Sequence, residues 1–500
     1  MSNLVIYLGL LLFTMLLIII IILGKIHQRR NLWQRLGIPH DEPGYIFGNL
    51  NGLSLARPFA NAIRRTYNKY KLHRIPFCGF VMLTKPIAIV TDLDLAQDIL
   101  VRDADKFSDR DSYHNKVDDT FSENLWNLEG EEWRELHRKL APLFTMEKIQ
   151  KVFPNIVQEA DELVDALDEM DQEVVDIYDL CQRYIADVIA DSLLALECHT
   201  LQKPISEFRV YGNDHVTKPR SKVAVALMEC QRFVARAHHL TQTLEEVIDF
   251  FYSYIGAAVL EQEHNKYERD NFIRQLVDIK NEKEEKNRLS FDEIVANSAL
   301  FFTAGYDTCA STMTFALYEL GTKRHIQKKL REEIMQVLEK YNDELTLEAI
   351  DEMKYLDMVI SETLRKYPIY PYVERVANCD YHTKEPDFKI LKGMTVLIPI
   401  EAILRDHDIY PDSFKFQPER FEAGKATRRH PMAWIPFGDG PRSCIGMRLG
   451  QLMIRIGLIT LLTNYEFYGC HRTPVPMRID KKSRLLRPEK DVYLRVLSLE

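Results

Sequence analysis

Residues 436–446 read Pro-Phe-Gly-Asp-Gly-Pro-Arg-Ser-Cys-Ile-Gly, a loop built to present one sulfur, that of Cys444. Gly438 and Gly440 admit backbone geometries closed to other residues, while Pro436 and Pro441 stiffen the approach. A long apolar helical pattern follows at once, from Ile445 to about Thr463. A thiol at a helix start meets unpaired N–H groups and the positive end of the helix dipole, and both lower its pKa. With Arg442 two residues away, the expectation is a thiolate.

Such a sulfur suits a soft metal centre, of which haem iron is one. The other seven cysteines (Cys78, Cys181, Cys198, Cys230, Cys309, Cys379 and Cys470) form no CxxC pair and no zinc spacing. Their scatter fits a reducing compartment. The net charge of −9 argues against nonspecific nucleic-acid binding, which needs a basic surface.

Leu4 to Leu23 gives 20 residues without a charge. As a helix this is about 30 Å long, the thickness of a bilayer's hydrocarbon. Lys25, Arg29, Arg30 and Arg35 follow it, so the positive-inside rule predicts a cytosolic globule behind a single-pass signal-anchor over residues 1–24. No basic start and no small-residue cleavage site marks a removable signal peptide. Residues 25–44 form a basic, proline-containing joint, in which Gly37-Ile38-Pro39-His40-Asp41-Glu42-Pro43-Gly44 forbids a continuing helix. Residues 45–500 carry no Gly/Ser linker, repeat or low-complexity tract, and Lys280 to Arg288 is only a charged connection, so one large domain is expected.

Within it, Phe80–Thr84 and Ile87–Thr91 predict a hairpin turning at Lys85-Pro86, with late strands at Thr395–Ile400 and Val492–Leu497. Helical periodicity runs over Glu147–Leu167, Leu240–Glu263, Phe272–Lys280, Phe291–Leu320, Ile326–Leu338 and Leu347–Tyr367. The fold class is mainly α with a minor β portion. Gly305, inside the long helix, lowers its stability by about 1 kcal/mol relative to alanine, which suggests a close approach by a flat cofactor. Thr308 is placed either to bond a carbonyl one turn back or to aim its hydroxyl at a ligand. Asp307 is an ionisable group in an apolar stretch, suited to passing protons. Glu362 and Arg365, three apart, share a helix face.

Four ordered motifs carry a family resemblance. Phe437, Gly440, Arg442, Cys444 and Gly446, then Ala304-Gly305-Tyr306-Asp307-Thr308, Glu362-Thr363-Leu364-Arg365 and Pro418-Glu419-Arg420-Phe421 resemble the signatures of the cytochrome P450 superfamily, the haem-thiolate monooxygenases. The resemblance covers essentially the whole chain after the first 30 residues. Phe107-Ser108-Asp109-Arg110, Ser206-Glu207-Phe208-Arg209 and Phe437 to Arg442 resemble the insect microsomal branch linked to detoxification.

The resemblance implies haem b with Cys444 as the axial iron ligand and Phe437, Ala304 and Gly305 against the cofactor. It implies Arg375 and Arg442 on the propionates, with Trp133 and His137 at the third propionate site. There His137 stands where the family pattern has arginine, and Arg138, one place on, is turned about 100° around the helix. It further implies that Thr308 and Asp307 steady and protonate dioxygen. Cys309 departs from the usual serine or threonine, so one strong donor is missing. Glu362 and Arg365, joined by Arg420, would fix the cysteine loop. Residues 113–125 and 205–233, Phe301, Phe302 and residues 369–373 would line the substrate pocket.

Nothing in the chain reads as a flavin or nicotinamide domain. Electrons are therefore expected from a partner, which the resemblance implies is NADPH–cytochrome P450 reductase, with cytochrome b5 as a further donor, docked at basic residues such as Arg138, Lys139 and Arg448. The substrate is expected to be lipophilic and the location the endoplasmic reticulum membrane. The alternatives are a haem-thiolate isomerase or dehydratase that needs no reductase, and a non-catalytic haem sensor.

Overall fold

The computed structural model describes Tyr7, Gly24 and residues 27–499 other than 51, 53, 171, 205, 218–220, 265–271 and 385, with residues 213–217 by backbone alone. The predicted span Leu4–Leu23 thus lies, except for Tyr7, outside the described residues. Among the described residues no helix is long and apolar enough to cross a membrane.

The principal elements are α1 (Arg57–Tyr70), β1 (Phe77–Met82), β2 (Lys85–Val90), α2 (Gly130–Leu140), α3 (Met146–Asp168), β3 (Val174–Asp176) and α4 (Ile177–Ile189). Then come α5 (Glu207–Thr217), α6 (Lys222–Cys230), α7 (Arg232–Ala237), α8 (Glu245–His264), α9 (Phe272–Lys280) and α10 (Phe291–Thr322). The chain continues through α11 (Arg324–Lys340), α12 (Leu347–Glu352), α13 (Lys354–Lys366), β4 (Val373–Val376), β5 (Thr395–Ile398), α14 (Met447–Asn464), β6 (Tyr465–Gly469) and β7 (Tyr493–Ser498). The expected mainly helical architecture with a small β portion is what the chain adopts.

Helix α10 runs through the centre of the largest hydrophobic cluster, packed between α4 and α14. Apolar residues surround it on all sides, the pattern of a helix buried in a core rather than laid on a surface. Its start is fixed by a capping box, in which the Ser290 hydroxyl accepts from the Glu293 amide and the Glu293 carboxylate accepts from the Ser290 amide. A four-stranded sheet, in the order β1-β2-β5-β4, forms a second layer. A three-stranded sheet, β3-β7-β6, closes the far side.

Two local expectations are corrected. The hairpin turns at Leu83-Thr84, with Leu83 at φ 56°, and Lys85-Pro86 open β2. Pro86 is tolerated because β2 meets β5 only from Ile87 onward, so its missing N–H costs no ladder bond. The predicted helix Leu347–Tyr367 is two helices, parted at Met353. There the Glu333 carboxylate accepts from the amides of Tyr355 and Leu356 at 2.8 and 3.0 Å, supplying α13 with a cap from another helix. Likewise α8 begins at Glu245 rather than Leu240, because the amides of Gln242 and Thr243 bond the Asp119 carboxylate instead of a helix carbonyl.

Candidate active site

Gly440 shapes the cysteine loop. Its φ is +72°, and a Cβ there would stand 1.7 Å from the Leu100 carbonyl oxygen, so no other residue fits. The loop closes on itself as the Cys444 amide donates to the Phe437 carbonyl at 3.0 Å. Helix α14 starts only at Met447, so Cys444 precedes it rather than opening it. The expected low thiol pKa is accordingly corrected. Burial raises the Cys444 pKa, and the Gly446 amide and Arg110 oppose that rise without overcoming it. The nearby cation is Arg110 rather than Arg442.

Although protein crowds it closely enough to raise its pKa, Cys444 is exposed, so it faces an internal space rather than bulk solvent. The same signature appears on α10. Ala304 is exposed and Gly305 and Thr308 are half-buried, in the middle of a helix otherwise buried along most of its length. Tyr370, stacked on Trp126 with centroids 5.3 Å apart, feels charges on Arg110, Cys444 and Asp307 alike, which ties both walls to one cleft.

The α10 residues divide between that cleft and the core. The Thr308 hydroxyl donates to the Ala304 carbonyl at 2.7 Å, the back-bonding alternative expected for it. At Gly305 a Cβ would stand 2.7 Å from Ile189 Cδ1 of α4. Its missing side chain thus also serves helix–helix packing, while Ala304, Gly305 and Thr308 present surface to the cleft. Asp307 is buried, accepting from the Tyr178 hydroxyl at 2.6 Å and contacting Arg487 Nη1 at 3.3 Å. Cys309 turns to α14, with its sulfur 4.0 Å from the Gly450 carbonyl oxygen.

At the rim three guanidinium groups gather. Arg442 donates to the carbonyls of Ser108 and Leu128, each at 2.8 Å, and lies 3.8 Å from the centroid of Trp133. Arg110 donates to the Arg442 carbonyl at 2.6 Å, and Arg375 to the Glu374 carbonyl at 2.8 Å. The nearest ion-pair contact any of them makes is Arg442 to Asp109 at 3.7 Å. Burial lowers Arg375 and Arg442 to about 9 and Arg110 to about 10, and for Arg375 and Arg442 repulsion from Arg110 adds to it. His137 sits 5.1 Å from Trp133, its pKa lowered by burial and then by Arg442. Arg138 is bound to Asn287 at 3.0 Å and Lys139 to the Arg288 carbonyl at 2.7 Å, so neither joins this cluster. Arg110 is the member that site-by-site reasoning missed. Its signal, a third arginine converging on Arg375 and Arg442, exists only in three dimensions.

Beneath the loop, Glu362 and Arg365 are fully buried and joined by two hydrogen bonds of 2.6 and 2.9 Å. Arg365 also donates to the Leu404 carbonyl at 3.0 Å, and Glu362 accepts from the Gln417 amide at 2.8 Å. Arg420 approaches Glu362 at 3.5 Å, an ion contact too long for a hydrogen bond. The meander after β5 is thereby pinned to α13 before it delivers Phe437 to Cys444.

Comparisons with known proteins identify the family. The sequence model of the Cytochrome P450 family matches residues 38–496. The chain is 37% identical over 494 residues to the fruit-fly (Drosophila melanogaster) protein "Probable cytochrome P450 6a23", covering 97% of this chain and 98% of that one. It is 36% identical to "Cytochrome P450 6a9" of the same organism, covering 96% and 98% of the two chains. A match of this extent leaves no part of the globule unaccounted for: the chain belongs to the cytochrome P450 family of haem monooxygenases.

Proposed function

We propose that the protein is a membrane-anchored haem b monooxygenase that inserts one oxygen atom of O2 into lipophilic substrates, using electrons passed from NADPH through a reductase. The observation that carries this is the pairing of an accessible sulfur inside a closed globule with three arginines whose one carboxylate ion pair among the described residues is Arg442 with Asp109, at 3.7 Å. Buried like charges without counter-charge are costly, and a ligand bearing two carboxylates resolves that cost. Haem b, with two propionates and an iron that takes thiolate, fits both ends of the cleft. Bound there, it supplies the oxygen-activating chemistry, which electron donation from sulfur favours.

The chain's own residues do the rest. Cys444 holds the iron as thiolate, and metal coordination supplies the charge stabilisation that burial alone withholds. Arg110, Arg375 and Arg442 hold the propionates, with Trp133 packed beneath Arg442 and His137 contributing as a neutral donor. Ala304 and Gly305 would lie against the cofactor, and Phe437 would flank the sulfur. With the cofactor bound, Thr308 would turn its hydroxyl from the Ala304 carbonyl to donate toward the reacting oxygen, and Asp307, released from Tyr178 and Arg487, would take up a proton from solvent and pass it to that hydroxyl. Glu362, Arg365 and Arg420 hold the loop in register.

Residues 1–24 anchor the protein in the endoplasmic reticulum membrane, residues 25–44 join anchor to globule, and residues 45–500 act on the cytosolic side. Cytochrome b5 is a second electron donor. Of the three basic residues expected to dock these partners, Arg138 and Arg448 are exposed and Lys139 is half-buried. Reconstitution in lipid with a lipophilic probe tests the function: oxidised product requires both NADPH and reductase, and product formed without either contradicts it.

A further inference from the structure

Strand β4 separates two charged neighbourhoods. Side chains alternate along a strand, so Arg375 turns to the arginine rim while Glu374 turns to the other face. On that face the charges that act on it are Glu229, Lys85, Asp111 and Arg484, from four separate segments. Lys85 of β2 pairs with Asp111, and Arg232 of α7 contacts Asp111 at 2.5 Å. Arg484, from the loop before β7, contacts Glu229 of α6 at 2.6 Å. Arg232 also reaches Glu129 at 3.2 Å.

This ring is built by or beside the segments that the family resemblance assigns to the substrate pocket. Asp111 stands two residues before Tyr113, Glu229 and Arg232 lie within residues 205–233, and Glu374 directly follows Val373. Three cations thus face four carboxylates. Three of the carboxylates are paired, whereas Glu374, half-buried, makes no hydrogen bond or ion pair with its side chain among the described residues. A single positive charge completes the ring.

We propose that Glu374 is a specificity-determining counter-ion, so that the enzyme prefers lipophilic substrates carrying a protonated nitrogen over neutral molecules of the same shape. This rests on the monooxygenase function proposed above. An accessible carboxylate in a partly desolvated site attracts a cation more strongly than one in bulk water, while a neutral isostere leaves it unpaired. Burial, reinforced by Glu229, pushes Glu374 up to about 7. The other groups facing it lie outside the neutral range: Lys85, Arg484 and Tyr372 are raised and Asp111 is lowered.

The test uses the reconstituted holoenzyme and two probes, a hindered lipophilic tertiary amine and its neutral carbon analogue. KM for the amine should be about tenfold lower than for the analogue, with similar kcat, as expected for about 1.4 kcal/mol of charge recognition. Glu374→Gln should remove that difference by raising the amine's KM alone, and Glu374→Asp should restore part of it. A second measurement needs no variant. A quaternary ammonium probe, charged at every pH, should lose affinity for the native enzyme between about pH 8 and about pH 6 as Glu374 takes up its proton, while the neutral probe stays level. Equal KM for the two probes, or an amine preference that survives both Glu374→Gln and acidification, overturns the assignment while leaving the monooxygenase function standing. If neither probe is oxidised, both fall.

Discussion

Arg487 Nη1 lies 3.3 Å from Asp307 Oδ2, while the Tyr178 hydroxyl donates to Asp307 Oδ1 at 2.6 Å. The acid next to Thr308 is therefore a held group, turned into the protein between a helix partner and a residue near the C-terminus. Arg487 is itself braced by Asp480 at 2.9 Å, so a chain of polar contacts runs from Asp307 to a half-buried carboxylate.

Removing Arg487 leaves a buried carboxylate without its cation, which typically costs about 3–5 kcal/mol. Arg487→Met should lower the unfolding free energy by the lower part of that range, since Tyr178 still donates to Asp307. In Asp307→Asn the same arginine substitution should cost much less. Chemical denaturation of the four proteins in a double-mutant cycle measures the coupling, and purely additive effects would show that the pair is not a unit.

Thr308 spends its hydroxyl on the Ala304 carbonyl at 2.7 Å, so Thr308→Ala loses little helix stability. The expected outcome is haem loading and unfolding within about 0.5 kcal/mol of the native protein. NADPH consumption should continue, but product per NADPH should fall severalfold as reduced oxygen escapes as peroxide. Undiminished product would remove Thr308 from proton delivery.

Arg365 is fully buried and bonded to Glu362 on one side and to the Leu404 and Lys415 carbonyls on the other. Arg365→Leu strands Glu362 at a cost of about 3–5 kcal/mol. Because those contacts fix the meander leading to Cys444, the variant should purify with less than about a tenth of the native haem per chain, helical content being largely kept. Full haem content in that variant would detach the pair from the loop.

His137 has its pKa depressed below the ordinary 6.5 by burial and by Arg442. The unfolded chain thus binds the proton more readily. Stability from this group is fully present above about pH 6.5 and is lost as pH falls through the lower folded value. His137→Gln should flatten this acidic limb of the thermal-melt profile. An unchanged limb would assign it to other groups.

Much of the site was legible from sequence because its parts are local. The strain that Gly440 relieves, the (i, i+3) spacing of Glu362 and Arg365, and the back-bonding of Thr308 each need only a few neighbouring residues. What escaped depends on partners far along the chain. The missing Cβ of Gly305 also makes room for Ile189 of another helix, a packing role that only the fold shows. The break at Met353 follows from a carboxylate on Glu333, and no local helix breaker marks it. Arg110 joined the arginine rim only once the chain had folded. The Cys444 pKa was misjudged in direction because the dipole argument was local, whereas the desolvation that outweighs it comes from the whole interior.

The iron ligand is tested most directly by the absorbance spectrum of the reduced, CO-bound protein. The native chain should give the long-wavelength band of a thiolate-ligated haem, and Cys444→Ser should abolish that band even where haem remains. An unchanged band in the variant, or its absence from the haem-loaded native protein, would contradict the assignment of Cys444.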